Sequence, residues 1–185
     1  MLQVVLPNHS KLRTLPIYLQ QEMIGVNKMP KSPGGGWRAL EDIEKTKKLI
    51  ARYCYFLDTL QMEEAADCFT DNAAGDWGPL GRYEGKQAIA TFLKDTVPPT
   101  VSMMQYQRLN TVVEVEGEKA TATWYLFGPF TYVTLRGNTA AWVQGKCENE
   151  LAKEHGKWRF SSLRFSFNFN TPYEDGWLKT PMMEP

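Results

Sequence analysis

The stretch Arg52 to Trp77, RYCYFLDTLQMEEAADCFTDNAAGDW, sets a tyrosine and an aspartate into what otherwise reads as two buried helices. Upstream of it, Ile43, Leu49, Ile50, Tyr53, Cys54, Leu57 and Leu60 recur at three- and four-residue spacing, the signature of a helix with one apolar stripe from about Leu40. A second, shorter helix is expected over about Gln61 to Phe69, with Met62, Ala65, Ala66 and Phe69 inward. Asp58 closes the first helix, at the negative end of its dipole, where a carboxylate is disfavoured unless something compensates it. Two compensations fit. Asp58 can cap the following helix, with Gln61 completing a box-like pair. It can equally stand at a pocket as a carboxylate whose pKa is raised by apolar neighbours, fit for general-base work. Tyr53 is correspondingly either a core tyrosine with a satisfied hydroxyl or a proton donor to a substrate oxygen.

Downstream, TDNAAGDWGPLGRYEG reads as a turn, a short strand near Gly75 to Trp77 and another turn. KQAIATFLKDTVPP supplies a third helix through Ala88, Ile89, Phe92 and Leu93, stopped by Pro98 and Pro99. After Pro99 the period switches to alternation. Four strands are expected, at about 101–115, 119–134, 139–153 and 157–170, separated by the hairpin signals EGEK, RGN and EHGK. Three helices followed by an antiparallel meander make an α+β fold with the helices gathered on one face of a curved sheet.

The chain has 185 residues and is 43% hydrophobic, enough for one filled domain and short for two. Lys+Arg and Asp+Glu both number 21, with no long run of like charge, so neither nucleic acid nor an anionic membrane is expected as partner. No apolar stretch approaches a membrane span and no signal-peptide layout opens the chain; a soluble, cytoplasmic protein is the expectation. Cys54, Cys68 and Cys147 lack metal-ligand or redox spacing and read as small buried hydrophobes. The two histidines, His9 and His155, rule out a Ser/His/Asp arrangement in practice, and no cluster has metal-ligand spacing. PGGGW follows no strand and fails the context of a dinucleotide loop. Residues 1–38, with Pro7, Pro16, Pro30 and Pro33, read as an arm that packs on the body or a neighbouring subunit.

The pieces LIARYCYFLD (49–58), FTDNA (69–73), GRYEGKQAIATFL (81–93) and GKWRF (156–160), in this order, resemble the SnoaL-like branch of the nuclear-transport-factor-2-like superfamily over about residues 40–172. The resemblance implies an α+β cone, a strongly curved antiparallel sheet around the first helix with an apolar pocket inside, and a homodimer or homotrimer joined through its sheets. It spans dehydratases, isomerases, cyclases, cofactor-free lyases and non-catalytic small subunits of ring-hydroxylating dioxygenases, so fold alone does not choose the chemistry. Dehydratases of this type are similar in the spacing Tyr-x-x-x-Leu-Asp, which reads here Tyr53 to Asp58. Carried over, Tyr53 and Asp58 look into the pocket. Where those enzymes place a histidine on the first long strand, this chain has Met104.

The expected function is therefore a cofactor-independent lyase or dehydratase that removes water or formaldehyde from a small aromatic or polycyclic substrate. An isomerase or cyclase and a binding or scaffold subunit are the alternatives. Asp58 is the candidate base, Tyr53 and Tyr106 the candidate acids or hydroxyl anchors. Lys146 and Arg164 stabilise an anion if they point inward, and are otherwise solvated or interface charges. Trp77, Met104, Trp124, Tyr125, Trp142, Phe167 and Asn168 are candidate substrate contacts. Alternation gives each strand two faces and leaves open which one looks in. Residues 173–185, beginning in the TPYEDGW segment, form a tail that is either a lid or a subunit contact.

Overall fold

The computed structural model describes residues 36–135 and 137–183. The expected arm lies almost wholly outside the described residues. The first helix begins earlier than the apolar pattern suggests: α1 spans Gly36–Asp58 and buries Thr46, Ile50, Tyr53, Cys54 and Leu57 along one stripe. It ends at Leu60, whose φ of 57° is left-handed, while the Gln61 amide returns to the Phe56 carbonyl at 2.7 Å. This is a Schellman-type stop made with leucine where glycine is usual. A five-residue α2 (Met62–Ala66) and strand β1 (Phe69–Asp76) follow. The segment GRYEG is more than a turn, since β2 (Arg82–Glu84) pairs back onto β1.

Helix α3 (Lys86–Thr100) buries Ile89, Phe92 and Leu93 and runs through Pro98 and Pro99 instead of stopping at them. The prolines cannot donate to the carbonyls of Lys94 and Asp95. Both residues are exposed, so water can take the freed oxygens, and the Thr100 hydroxyl bonds the Thr96 carbonyl at 2.7 Å.

The expected first long strand is two strands, β3 (Val101–Met104) and β4 (Gln107–Glu116), broken at Gln105 and Tyr106. Both pair with β5 (Lys119–Thr134), which leads to β6 (Gly137–Glu154) and β7 (Lys157–Pro172). The sheet runs β2-β1-β7-β6-β5-β3, with β4 also on β5, and its edges do not meet. One pair departs from the expected antiparallel pattern: β1 lies parallel to β7, Ala74 opposite Ser162. Bulges between β6 and β7 at Gln144/Gly145 and Glu150/Leu151 bend the sheet.

Burial settles which face looks in. Ala120, Ala122, Trp124, Leu126 and Phe130 of β5 and Ala141, Val143, Cys147, Asn149 and Leu151 of β6 are buried. All of them except Ala141 and Asn149 share one hydrophobic core with Ile50, Tyr53 and Leu57 of α1. The alternate residues Tyr125, Phe127, Trp142, Gln144 and Lys146 lie on the outer face and keep solvent contact. The described part of the tail, with α4 (Gly176–Lys179), rests on that outer face: Trp177 stacks on Phe169 at 5.3 Å and Tyr173 approaches Trp142 at 6.3 Å.

Candidate functional site

Asp58 does not cap α2. The N-cap position there is Gln61, without a side-chain cap bond, and the Asp58 carboxylate turns instead to the break between β3 and β4. Its Oδ1 accepts the Tyr106 backbone N–H at 2.7 Å. Partial burial pushes the Asp58 carboxyl above the usual aspartate range, and the Tyr106 N–H pulls it part of the way back.

The break that carries Tyr106 is built by β5. The Gln105 amide donates to the Pro129 carbonyl at 3.1 Å, and a Cβ on the preceding Gly128 would land on the Gln105 carbonyl oxygen. Glycine at 128 is thus what lets the Gln105–Tyr106 segment lie against the strand. The Tyr106 ring meets Phe130 at 5.6 Å. Burial, then Cys147, Cys54, Tyr132 and Asp58, hold its phenol well above the ordinary tyrosine value.

Tyr53 lies deeper, 2% exposed, edge-on to Phe69 at 5.6 Å and Phe160 at 5.3 Å. Its hydroxyl is buried with no hydrogen-bond partner among the described residues. A core tyrosine normally has its hydroxyl satisfied, and an orphaned one costs about 1–3 kcal/mol. Burial raises this phenol too, and Tyr106 is the next contributor, which puts the two phenols in one neighbourhood. Two inward thiols share it: burial lifts Cys54 to about 12 and raises Cys147 well above its usual value. All three cysteines are free and buried, as expected of small hydrophobes.

Met104 and Trp124 point inward and are buried, the Trp124 indole N–H without a partner among the described residues. Phe167 packs against Phe165 at 4.5 Å on the inner face, where Gly145 leaves room for the Phe165 ring. Trp77 belongs to the same buried core, reached from Tyr53 through Phe69, and packs with Tyr83 and Phe92 under α3. The remaining candidates are elsewhere. Tyr125 and Trp142 are on the outer face, as is Lys146, 3.2 Å from Glu148. Arg164 is exposed, 3.9 Å from Asp76, and Asn168 is exposed at the bulge that skips it between Phe167 and Phe169. Strand parity sends these side chains out, so the reading of Arg164 and Lys146 as pocket cations is corrected.

Two residues absent from the expected site belong to the inner face. Asn170 is buried, its amide group bonded to Tyr132 and its Oδ1 unpartnered among the described residues. Arg108 is half-buried and opposite Leu126, an inward residue. Their strands' alternation offered both, but parity alone could not choose the face. His155 occupies the β6–β7 turn with φ 50°, away from the inner face. Among the described residues no group of three or more His, Cys, Asp or Glu side chains could hold a metal ion, and no helix is long and apolar enough to cross a membrane. A separate groove of about 550 Å³, between Lys45, Lys48 and Arg52 of α1 and the Lys157–Arg159 segment, contains none of the expected site residues.

A family model described as a SnoaL-like domain matches residues 38–164. No curated protein matches the sequence significantly. Among solved structures, a hexachlorocyclohexane dehydrochlorinase from Novosphingobium barchaimii aligns with TM-score 0.65 at 20% identity, over 72% of this chain and 90% of that one. A protein provisionally named scytalone dehydratase from Novosphingobium aromaticivorans aligns with TM-score 0.65 at 18% identity, over 72% and 89%. A nuclear transport factor 2-like superfamily protein from Salmonella enterica aligns with TM-score 0.58 at 21% identity, over 67% and 89%. At these identities the likeness is one of fold.

Proposed function

Because the chain belongs to the SnoaL-like domain family, whose fold hosts unrelated chemistries, its site must choose among them, and we propose that it is a cofactor-independent lyase of the dehydratase type. Its substrate is a small hydroxylated aromatic or polycyclic compound. The observation that carries the reading is a half-buried Asp58 of raised pKa, bonded to the backbone N–H of Tyr106, whose buried phenol shares a neighbourhood with that of Tyr53, both held in their protonated form. A carboxylate poised above its usual range takes a proton better near neutrality, and a phenol of raised pKa donates to strong bases only. The structures it resembles include proteins named for elimination reactions, a dehydratase and a dehydrochlorinase.

In this reading the ring hydroxyl of the substrate is ionised, and its electrons expel hydroxide from the benzylic carbon to give a quinone methide. Tyr106 or Tyr53 protonates the departing hydroxide to water. Asp58 then takes a proton from the neighbouring carbon, which restores the aromatic ring and leaves an alkene, and passes that proton to the tyrosinate. If that carbon bears a hydroxymethyl group, Asp58 takes the hydroxyl proton, the C–C bond breaks and formaldehyde leaves. By the family resemblance Met104 falls about where dehydratases carry a histidine, so in this reading the assistance of the substrate's own phenolate replaces the imidazole.

The test is mass spectrometry of products from a panel of benzylic-hydroxylated phenols. Loss of water or formaldehyde that Asp58→Asn abolishes supports the reading. Turnover with unchanged product mass supports an isomerase, and turnover indifferent to both Asp58→Asn and Tyr106→Phe rejects the site.

A further inference from the structure

Arg108 is on the inner face by register. It lies opposite Leu126 across the β4–β5 ladder, while Gln107 and Leu109 lie opposite the outward Phe127 and Tyr125. Directly opposed residues of an antiparallel pair share a face. Leu126 is 1% exposed, so that face is the core's.

The guanidinium is half-buried and has one described hydrogen bond, from Nη1 to the Thr111 hydroxyl oxygen at 2.9 Å. No described carboxylate lies within ion-pairing distance of it. Glu44 feels its charge but is tied to Lys47 at 2.9 Å. At Cys54 the charges of Asp58 and Arg108 act in opposite senses, so that thiol feels both. The other titratable groups of this neighbourhood are Tyr106 on the break, Tyr132 on β5, Tyr53 and Cys54 on α1 and Cys147 on β6, all of which burial holds in their neutral forms. A guanidinium carries five donors, and a half-buried one without a counter-ion is costly. An incoming anion relieves that cost.

We propose that Arg108 is the anion-holding residue of the site and that the substrate is a phenol whose ring oxygen binds it as the phenolate. The benzylic side chain then extends toward Asp58 and Tyr106. This rests on the lyase reading above and supplies the ionised ring oxygen that the reaction needs. It also replaces the outward Lys146 and Arg164 in the role of anion stabiliser.

The probe is 4-nitrophenol, which is strongly coloured only as its phenolate and cannot undergo the elimination. Spectrophotometric titration of the full chain at a pH slightly below the ligand's own pKa is expected to show uptake with increased phenolate absorbance. The bound equilibrium should shift about tenfold to a hundredfold toward the phenolate. Arg108→Gln is expected to abolish the shift, Arg108→Lys to keep part of it, and Asp58→Asn to keep or enlarge it, because a neighbouring negative charge is gone. An undiminished shift in folded Arg108→Gln overturns the inference and leaves the lyase reading standing. Should that variant fail to fold, the wild type decides: at least tenfold preference for 4-nitrophenol over 4-nitroanisole supports the anion site, and equal binding overturns it. No uptake of either ligand overturns the aromatic pocket itself.

Discussion

Asp58 is costly where it sits, at the end of a helix and half out of water. Its pKa is raised in the fold, by burial first, against the opposing Tyr106 N–H. A group with a raised folded pKa favours the native state while protonated. That contribution is full below the unfolded aspartate value, about 4, and is lost as pH rises through the folded value. Asp58→Asn is therefore expected to raise the melting temperature at pH 7, with the gap to wild type closing below about pH 4. In the same variant turnover should fall by about 10²–10⁴. Thermal melts across that pH range and single-turnover rates check the two halves. A variant that loses stability at neutral pH contradicts the account of why this carboxylate is strained. Tyr53→Phe removes a hydroxyl that has no partner among the described residues, so it should cost little or nothing in stability, within about 1 kcal/mol, while lowering turnover. A core tyrosine with a satisfied hydroxyl would give the reverse.

At the scale of elements, the two devices that aim the site are a helix stop and a strand break. Leu60 holds a left-handed conformation at 39% exposure, so Leu60→Gly removes strain and little buried surface. A gain of about 0.5–1 kcal/mol in denaturant unfolding is expected. Gly128 permits the Gln105–Tyr106 crossing. Gly128→Ala should push that segment off β5, break the bond between Asp58 and the Tyr106 N–H, and cost about 1–3 kcal/mol. Amide exchange at Tyr106 reads this directly, and a protected amide in the variant defeats the argument. The existence of α1, α3 and the strands was legible in their apolar periods. The break at Tyr106 was not, because alternation from Ser102 to Asn110 continues across it, and its cause is a close approach by residue 128 of another strand. The extension of α3 over Pro98 and Pro99 was equally hidden, since the penalty depends on whether water reaches the freed carbonyls.

Across the whole molecule, α1 is tied to the far hairpin by Asp42. Its carboxylate accepts from Lys153 Nζ at 2.7 and 3.0 Å and from the Trp158 indole at 3.0 Å. The Lys153 bond holds the Asp42 carboxyl below its ordinary range, with a smaller share from Trp158 and against the cost of burial. A depressed folded pKa gives stability that is present above the unfolded value and lost as pH falls through the folded one. Asp42→Asn should cost about 2 kcal/mol at pH 7, and the difference should shrink in acid. Equal denaturation midpoints at pH 7 would contradict the clamp. This pairing joins residues more than a hundred positions apart, and nothing local in either segment announced it.

Local pattern was enough for the α+β class, the order of helices before the meander, the buried free cysteines, and Tyr53 and Asp58 as the residues to watch. Each of these depends on period, dipole or composition, which neighbours along the chain carry. The tertiary structure alone decided which face of each strand looks inward, because a period of two is unchanged when the strand is turned over. It sent Lys146, Arg164, Tyr125, Trp142 and Asn168 outward and Arg108 and Asn170 inward. It also turned Asp58 from a cap for the next helix to the Tyr106 amide, since the partner that satisfies a carboxylate is chosen by what packs against it in space.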